Sequence, residues 1–254
     1  MRVRIAGETD RGRKRAHNED MLHLPVDERV VLVADGMGGH ACGDVASRLA
    51  VETVAAHLRA TVDEQDATWP FHYDRERRRH ESRLVTAIRL ANAEIFQAAR
   101  RDSALRGMGT TLVAGLFCDE EIVLAHVGDS RIYRLRDGCL RQLTEDHSLL
   151  NDYIRMKRIE RRDAERFPQK NVIVRALGMK DAVGVDTRRE LTRLGDLYLF
   201  CSDGLSGMLK DPVLEQTLLA EDDLDRCCER LIALANEAGG TDNITVVLAR
   251  LEPA

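Results

Sequence analysis

The run Val30-Val-Leu-Val-Ala34 is apolar at every position and ends on a carboxylate, Asp35. A strand that is apolar on both alternating faces must be covered on both sides, by helices or by a second sheet. Strand-like runs recur at Thr110–Phe117, Glu121–Val127, Arg131–Arg136, Asp196–Cys201 and Asn243–Arg250, several of them apolar on both faces. Asp137-Gly138, between Arg131–Arg136 and Cys139–Leu143, is a type I′ hairpin signal and makes that pair antiparallel.

Helical periodicity falls in clusters. Ala46, Leu49, Ala50, Thr53 and Val54 share one face, as do Leu84, Ala87, Ile88, Ala91 and Ile95. Near the end Leu224, Cys227, Cys228, Leu231, Ile232 and Ala235 repeat the pattern, so the paired cysteines read as small apolar residues on a buried stripe. Strict βαβ alternation is absent. Antiparallel sheets packed together with helices outside fit the order better than a doubly wound parallel sheet. No internal repeat or linker interrupts the 254 residues, which predicts one domain.

Composition excludes several classes. The net charge of -5 argues against a dedicated nucleic-acid binder. No apolar run approaches the length of a membrane span, and Met1–Asp10 has no signal-peptide core, which predicts a cytoplasmic chain off the membrane. The six cysteines form no C-x-x-C pair and do not read as a zinc site or a disulfide framework.

Four aspartates share one context. Asp35 and Asp203 follow apolar runs and precede glycine; Asp129 follows Ala-His-Val-Gly; Asp242 precedes the strand that begins at Asn243. A carboxylate where a buried strand meets a loop is half desolvated, which is costly unless it is paired or bound to a cation. Clustered carboxylates also repel one another, and a divalent cation removes both problems. An oxygen-only set favours Mg²⁺ or Mn²⁺ over zinc. The competing reading is that each Asp merely caps a turn. Spacing leaves both readings open.

Other motifs fail on inspection. Gly36-Met-Gly-Gly-His-Ala41 matches the dinucleotide fingerprint G-x-G-x-x-A, but Asp35 would face the pyrophosphate and Glu52 lies in a helical pattern rather than at a strand end. Gly38 to Gly43 has P-loop spacing but is followed by Asp44-Val45. Gly204-Leu-Ser-Gly207 is not a nucleophile elbow. His126 reads as a satisfied core histidine, whereas His17, His40 and His147 flank acidic motifs.

Eight short motifs then occur in one order: Arg15-Ala-His-Asn-Glu-Asp20, Val33-Ala-Asp-Gly-Met-Gly-Gly-His40, Gly107-Met-Gly-Thr-Thr111, Val127-Gly-Asp-Ser-Arg131, Leu143-Thr-Glu-Asp-His-Ser148, Arg175-Ala-Leu-Gly178, Cys201-Ser-Asp-Gly-Leu205 and Gly240-Thr-Asp-Asn-Ile-Thr245. In this the chain resembles the metal-dependent protein phosphatases, the type 2C Ser/Thr phosphatases, and their compact bacterial members above all. The resemblance implies an α+β fold, a four-layer α-β-β-α sandwich with two central antiparallel sheets, spanning residues 1–254 with a variable flap at about 149–170. It implies hydrolysis of phosphoserine and phosphothreonine in proteins with two Mn²⁺ or Mg²⁺ ions and a third, weaker one. By motif position Asp35 bridges the two ions, the Gly36 carbonyl binds one, Asp203 and Asp242 complete the other, and Glu19 and Asp20 act through metal-bound waters. Asp129 with Asp203 takes the third ion, and Arg15 holds the substrate phosphate.

The implied partners are phosphorylated proteins and a cognate Ser/Thr kinase that the enzyme opposes, with the chain acting as a monomer. Met37 stands where animal members carry a histidine proposed as general acid, which leaves His40 or a metal-bound water for that role. The alternative is a catalytically weak adaptor of the same fold, which should have lost one of Asp35, Asp203 or Asp242. Residues Thr61–Ser82 form a long connection with Trp69, Phe71, Tyr73, Arg75, Arg77, Arg78 and Arg79, read either as a solvated helix extension or as a docking site for an acidic partner or a phosphoprotein. Asn151–Ile159, inside the flap, looks helical.

Overall fold

Both sheets are antiparallel throughout. A computed structural model describes residues 1–25, 29–38, 42–62, 79–118, 120–160, 167–169 and 172–253. In chain order the strands are β1 (Arg2–Asp10), β2 (Asp20–His23), β3 (Val30–Met37), β4 (Gly109–Thr110), β5 (Leu112–Phe117), β6 (Glu121–Val127), β7 (Arg131–Arg136), β8 (Cys139–Gln142), β9 (Asp186–Leu191), β10 (Leu197–Cys201) and β11 (Ile244–Glu252). The helices are α1 (Gly43–Ala60), α2 (Arg79–Arg101), α3 (Leu149–Arg155), α4 (Asp203–Ser206), α5 (Asp211–Ala220) and α6 (Leu224–Glu237). One sheet runs β1-β11-β10-β7-β8; the other runs β2-β3-β5-β6-β9, with β4 added to β3.

The all-apolar strands are sandwiched as their sequence requires. Val30, Leu32 and Ala34 of β3 pack with Leu58 of α1 and Leu84, Ile88 and Ile95 of α2. The alternate residues Val31 and Val33 face the other sheet, in a layer with Ile122, Ile132, Tyr198, Phe200 and Val247. On the far side Leu199, Cys201, Val246 and Leu248 meet Leu214 of α5 and Cys227, Cys228 and Leu231 of α6. The result is the expected α-β-β-α order. Each such buried side chain contributes roughly 1.5–3 kcal/mol of transfer free energy, and the Asp223 carboxylate caps α6 by accepting from Arg226 N–H at 3.1 Å.

Asp137 and Gly138 both have positive φ, 51° and 75°, as a type I′ turn demands. Three strands escape the periodicity argument. β1 is half exposed along its length and carries alternate arginines. β2 has four residues. β9 reads Asp-Thr-Arg-Arg-Glu-Leu, and its charges are absorbed by ion pairs of Arg188 with Glu190 and of Arg189 with Glu121, each at 2.5 Å. The run Thr110–Phe117 is broken at Thr111, whose N–H donates to the Asp35 carbonyl at 2.9 Å. The helix expected over 151–159 is Leu149–Arg155 instead, because Lys157 turns to φ +56°. Residues 63–78, and with them Trp69, Phe71, Tyr73 and Arg75–Arg78, lie outside the described residues, as do 161–166 of the flap.

Candidate metal centre

Four strand ends and one helix start bring the acidic residues together. Asp20 and Asp35 are register partners across β2 and β3, so their side chains share a face. Asp129 lies in the loop from β6 to β7. Asp203 opens α4 directly after β10, and Asp242 precedes β11, the neighbour of β10. The Asp35 carboxyl group is consequently exposed to the charges of Asp20, Asp203, Asp129 and Asp242.

Burial and these like charges push the carboxyls of Asp20, Asp35, Asp129 and Asp203 above their ordinary range. Asp20 is raised to about 7, by burial first and then by Asp203 and Asp242, against hydrogen bonds from Thr245 and Ser202. Asp129 is raised to about 7 by burial and by Asp203 and Asp146. Asp35 stands well above the carboxylate range for the same two reasons. Asp203 is raised by burial and Asp242, and a hydrogen bond with Asp35 partly offsets this. Oδ1 of Asp20 and Oδ1 of Asp129 are buried with no hydrogen-bond partner. Unspent carboxylate lone pairs beside uncompensated negative charge fit hard divalent cations, and the donors here are all oxygen.

The backbone around these carboxylates is held from several sides. Asp35 N–H donates to Thr111 Oγ1 at 3.1 Å, and Thr111 Oγ1 and Ser130 Oγ share a hydrogen bond of 2.7 Å. A Cβ on Gly36 would run into the Gly43 carbonyl, and one on Gly204 into the Asn243 carbonyl. Only glycine permits these approaches. The Glu19 carboxylate accepts from Gly43 N–H at the start of α1, while burial raises its pKa. Asn243 ties the 11–19 segment down: its Oδ1 accepts from Glu19 N–H, and its Nδ2 donates to the carbonyls of Arg11 and His17, each at 2.9 Å. Thr111, Ser202, Asn243 and Thr245 were not among the residues singled out from sequence. Each sits inside a quoted motif, but a hydroxyl or amide beside an Asp carries no signature of its own.

Arg15 reaches the centre. Its Nη2 lies 2.6 Å from Asp242 Oδ2, and both side chains keep solvent access, at 52% and 32%. It is the residue whose charge reaches Asp242, Asp35 and Glu19 together. His17 is exposed and contributes its carbonyl rather than its ring. His40 lies outside the described residues.

A second cluster of ligand-type residues lies beyond the Asp129 loop. Ligand atoms of His126, His147 and Asp186 fall within 4.8 Å of one another. It does not fit a cation. His126 Nε2 is spent on the Glu145 carbonyl at 2.9 Å, and His147 Nδ1 accepts from Gly128 N–H at 3.0 Å. The Arg175 guanidinium already stands 3.0 Å from His147 Nε2 and 2.5 Å from Asp186. Burial, then His126 and Arg175, lower His147 to about 4, so it stays neutral. The sequence reading of His126 as a satisfied core histidine holds.

Known proteins match this chain over almost its whole length. The family model described as protein phosphatase 2C matches residues 9–249. The serine/threonine phosphatase stp of Listeria monocytogenes is 41% identical over 247 residues, covering 94% of this chain and 92% of the relative. The crystal structure of the Mycobacterium tuberculosis serine/threonine phosphatase PstP/Ppp superposes with a TM-score of 0.85 at 38% identity, over 99% of both chains. The PstP catalytic domain in complex with two manganese ions superposes with a TM-score of 0.81 at 36% identity, over 99% of both chains.

Proposed function

The chain belongs to the protein phosphatase 2C family, and on that premise we propose that it hydrolyses phosphoserine and phosphothreonine in proteins. The observation that carries this is the gathering of Asp20, Asp35, Asp129, Asp203 and Asp242 within reach of one another's uncompensated negative charge. In this reading Asp35 is shared by two Mn²⁺ or Mg²⁺ ions, the Gly36 carbonyl joins one side, and Asp203 and Asp242 join the other. Glu19 and Asp20 orient the water around them, and Asp129 with Asp203 takes a third, weaker ion. When bound, such cations make a water reactive near neutral pH and offset the charge of the phosphoryl oxygens.

The protein's own part is placement. Asp20 and Asp35, from one sheet, are held against Asp203 and Asp242, from the other. The Arg15 guanidinium, exposed on one side, can exchange its Asp242 contact for two phosphoryl oxygens, and its planar fork suits them. In-line displacement at phosphorus needs positioning and charge stabilisation more than a protein nucleophile. Cys201, beneath the site, is no thiolate nucleophile: burial pushes its thiol up to about 12. His147, lowered to about 4, is a neutral imidazole at neutral pH and so no general acid for a leaving group.

This reading keeps the chain as one domain with 149–170 as a substrate-facing flap. It also has the enzyme act on phosphoproteins in the cytoplasm as a monomer against a cognate Ser/Thr kinase. A phosphothreonine peptide incubated with the protein and Mn²⁺ should release phosphate, and excess chelator should stop it. Folded protein that binds Mn²⁺ yet releases none would leave the adaptor reading in its place.

A further inference from the structure

Between the described ends of the flap and the carboxylates lies a continuous path of hydrogen bonds and one close packing contact. Its first link is reciprocal: His147 N–H donates to the Gly128 carbonyl at 2.9 Å, and Gly128 N–H donates to His147 Nδ1 at 3.0 Å. Gly128 has φ +109°, and a Cβ there would lie 2.6 Å from the Thr111 side chain, so it is seated directly on Thr111. Thr111 in turn exchanges hydrogen bonds with the Asp35 backbone. The next residue after Gly128 is Asp129.

On its other side His147 faces the flap. Its carbonyl accepts from Val174 N–H at 2.9 Å, and Ser148 Oγ accepts from Asn151 N–H at 3.3 Å to start α3. Leu177, where the segment returns, exchanges backbone hydrogen bonds with Thr110. The imidazole is further clamped by stacking on His126, with ring centres 4.6 Å apart and planes 14° apart, and by Asp186 Oδ2 3.3 Å from Nε2.

Donors stand at both ring nitrogens, Gly128 N–H at Nδ1 and Arg175 Nη1 at 3.0 Å from Nε2, but the two Nη1 hydrogens have acceptors of their own in Asp186 and the Gly184 carbonyl. Gly128 N–H points at Nδ1, so Nδ1 holds a lone pair and the proton sits on Nε2, aimed at Asp186. Arg175 Nη1 and Nε2–H are then two donors side by side, both directed at the Asp186 carboxylate. We infer that His147 is a positioning residue: as the Nε2–H tautomer it holds the Asp129 loop to the base of the flap, and so couples the weaker cation site to flap placement. This rests on the reading of Asp129 as a ligand of that cation.

The inference has a direct test in the full chain. In ¹⁵N-labelled protein, a scalar coupling across the hydrogen bond should connect Gly128 N with His147 Nδ1, and Nε2 should carry the ring proton. A ring protonated on Nδ1 would overturn the assignment. Two variants separate an acceptor from mere bulk. His147→Asn keeps an oxygen acceptor where Nδ1 stood, whereas His147→Gln moves its polar group to the Nε2 position. Mn²⁺ binding followed by electron paramagnetic resonance should show the weaker site loosened about tenfold or more in His147→Gln, as for lost outer-shell partners of metals. The two tighter sites should stay in place, and His147→Asn should remain near the wild type. Equal loss in both variants, or loss in neither, overturns the positioning role. Asp129→Asn identifies which premise failed: if it leaves the weaker site intact, the ligand reading of Asp129 falls and the coupling with it.

Discussion

Two clusters of metal-ligand residues flank the Gly128–Asp129 loop, and they have opposite fates. The carboxylate centre gathers five aspartates, and burial and mutual repulsion raise the pKa values of Asp20, Asp35, Asp129 and Asp203; two of its buried oxygens are unpaired, and the Arg15 guanidinium stands at its rim. The imidazole cluster holds two histidines and an aspartate, but the His147 Nδ1 lone pair is taken by Gly128 N–H, His126 Nε2 is bound to the Glu145 carbonyl, and the cation is built in as Arg175. Ligand identity and proximity are thus insufficient. A cation site needs negative charge left uncompensated and acceptor orbitals left free.

The sharpest way to break this contrast is mutation. Asp35→Ala or Asp242→Ala should lower kcat/KM for a phosphopeptide by about 10³-fold or more, since in the proposed reading several kcal/mol of charge stabilisation depend on the cations assigned to them. His126→Gln should cost far less, and comparable losses would erase the distinction. Next in size is the response to metal. Mn²⁺ at about a hundredfold excess over its Kd should stabilise the fold by about 2.7 kcal/mol, or roughly 5–10 °C in Tm. Asp203→Ala should abolish that shift, and His126→Gln should leave it.

Acidity separates the two clusters by sign. Asp20 and Asp129, raised to about 7, hold protons more readily in the folded chain than in the unfolded one between about pH 4 and 7. Mn²⁺ must displace those protons, so its Tm increment should grow from pH 5.5 to pH 8. His147 is lowered to about 4, so the unfolded chain takes up its proton first. That contribution to stability is lost as pH falls from about 6.5 to 4, with or without Mn²⁺, and thermal melts in chelator should lose it in His147→Asn. The smallest effect concerns Arg15. Arg15→Ala should raise KM about tenfold, the worth of a charge-assisted hydrogen bond, with kcat less affected. An unchanged KM would remove Arg15 from phosphate recognition.

The sequence made the layered fold legible because strands apolar on both faces leave few alternatives, and Val30–Ala34 alone demands cover on both sides. It hid β1 and β9, whose side chains are satisfied by solvent and ion pairs rather than by a periodic core contact. The aspartates stood out because a charge at a buried strand end is conspicuous. Thr111 and Asn243 did not, because what they hold is backbone from segments distant in sequence, and hydrogen bonds of that kind follow no spacing. The imidazole cluster shows the reverse limit: residue types suggest metal, and the direction of the Gly128 N–H together with the Arg175 guanidinium removes the suggestion.

The carboxylates are not rooted in one slab of structure. Asp20 and Asp35 belong to one sheet, while Asp203 and Asp242 adjoin strands of the other, and the two sheets meet through the layer of Val31, Val33, Ile132, Tyr198 and Phe200. The centre therefore works as a vernier on the seam: any slip of one sheet across its neighbour is read out as a change in ligand separation. Trimming Phe200, fully enclosed in that seam, would reach the chemistry without touching it, and enzymatic output would register the loosened registry while the chain was still folded.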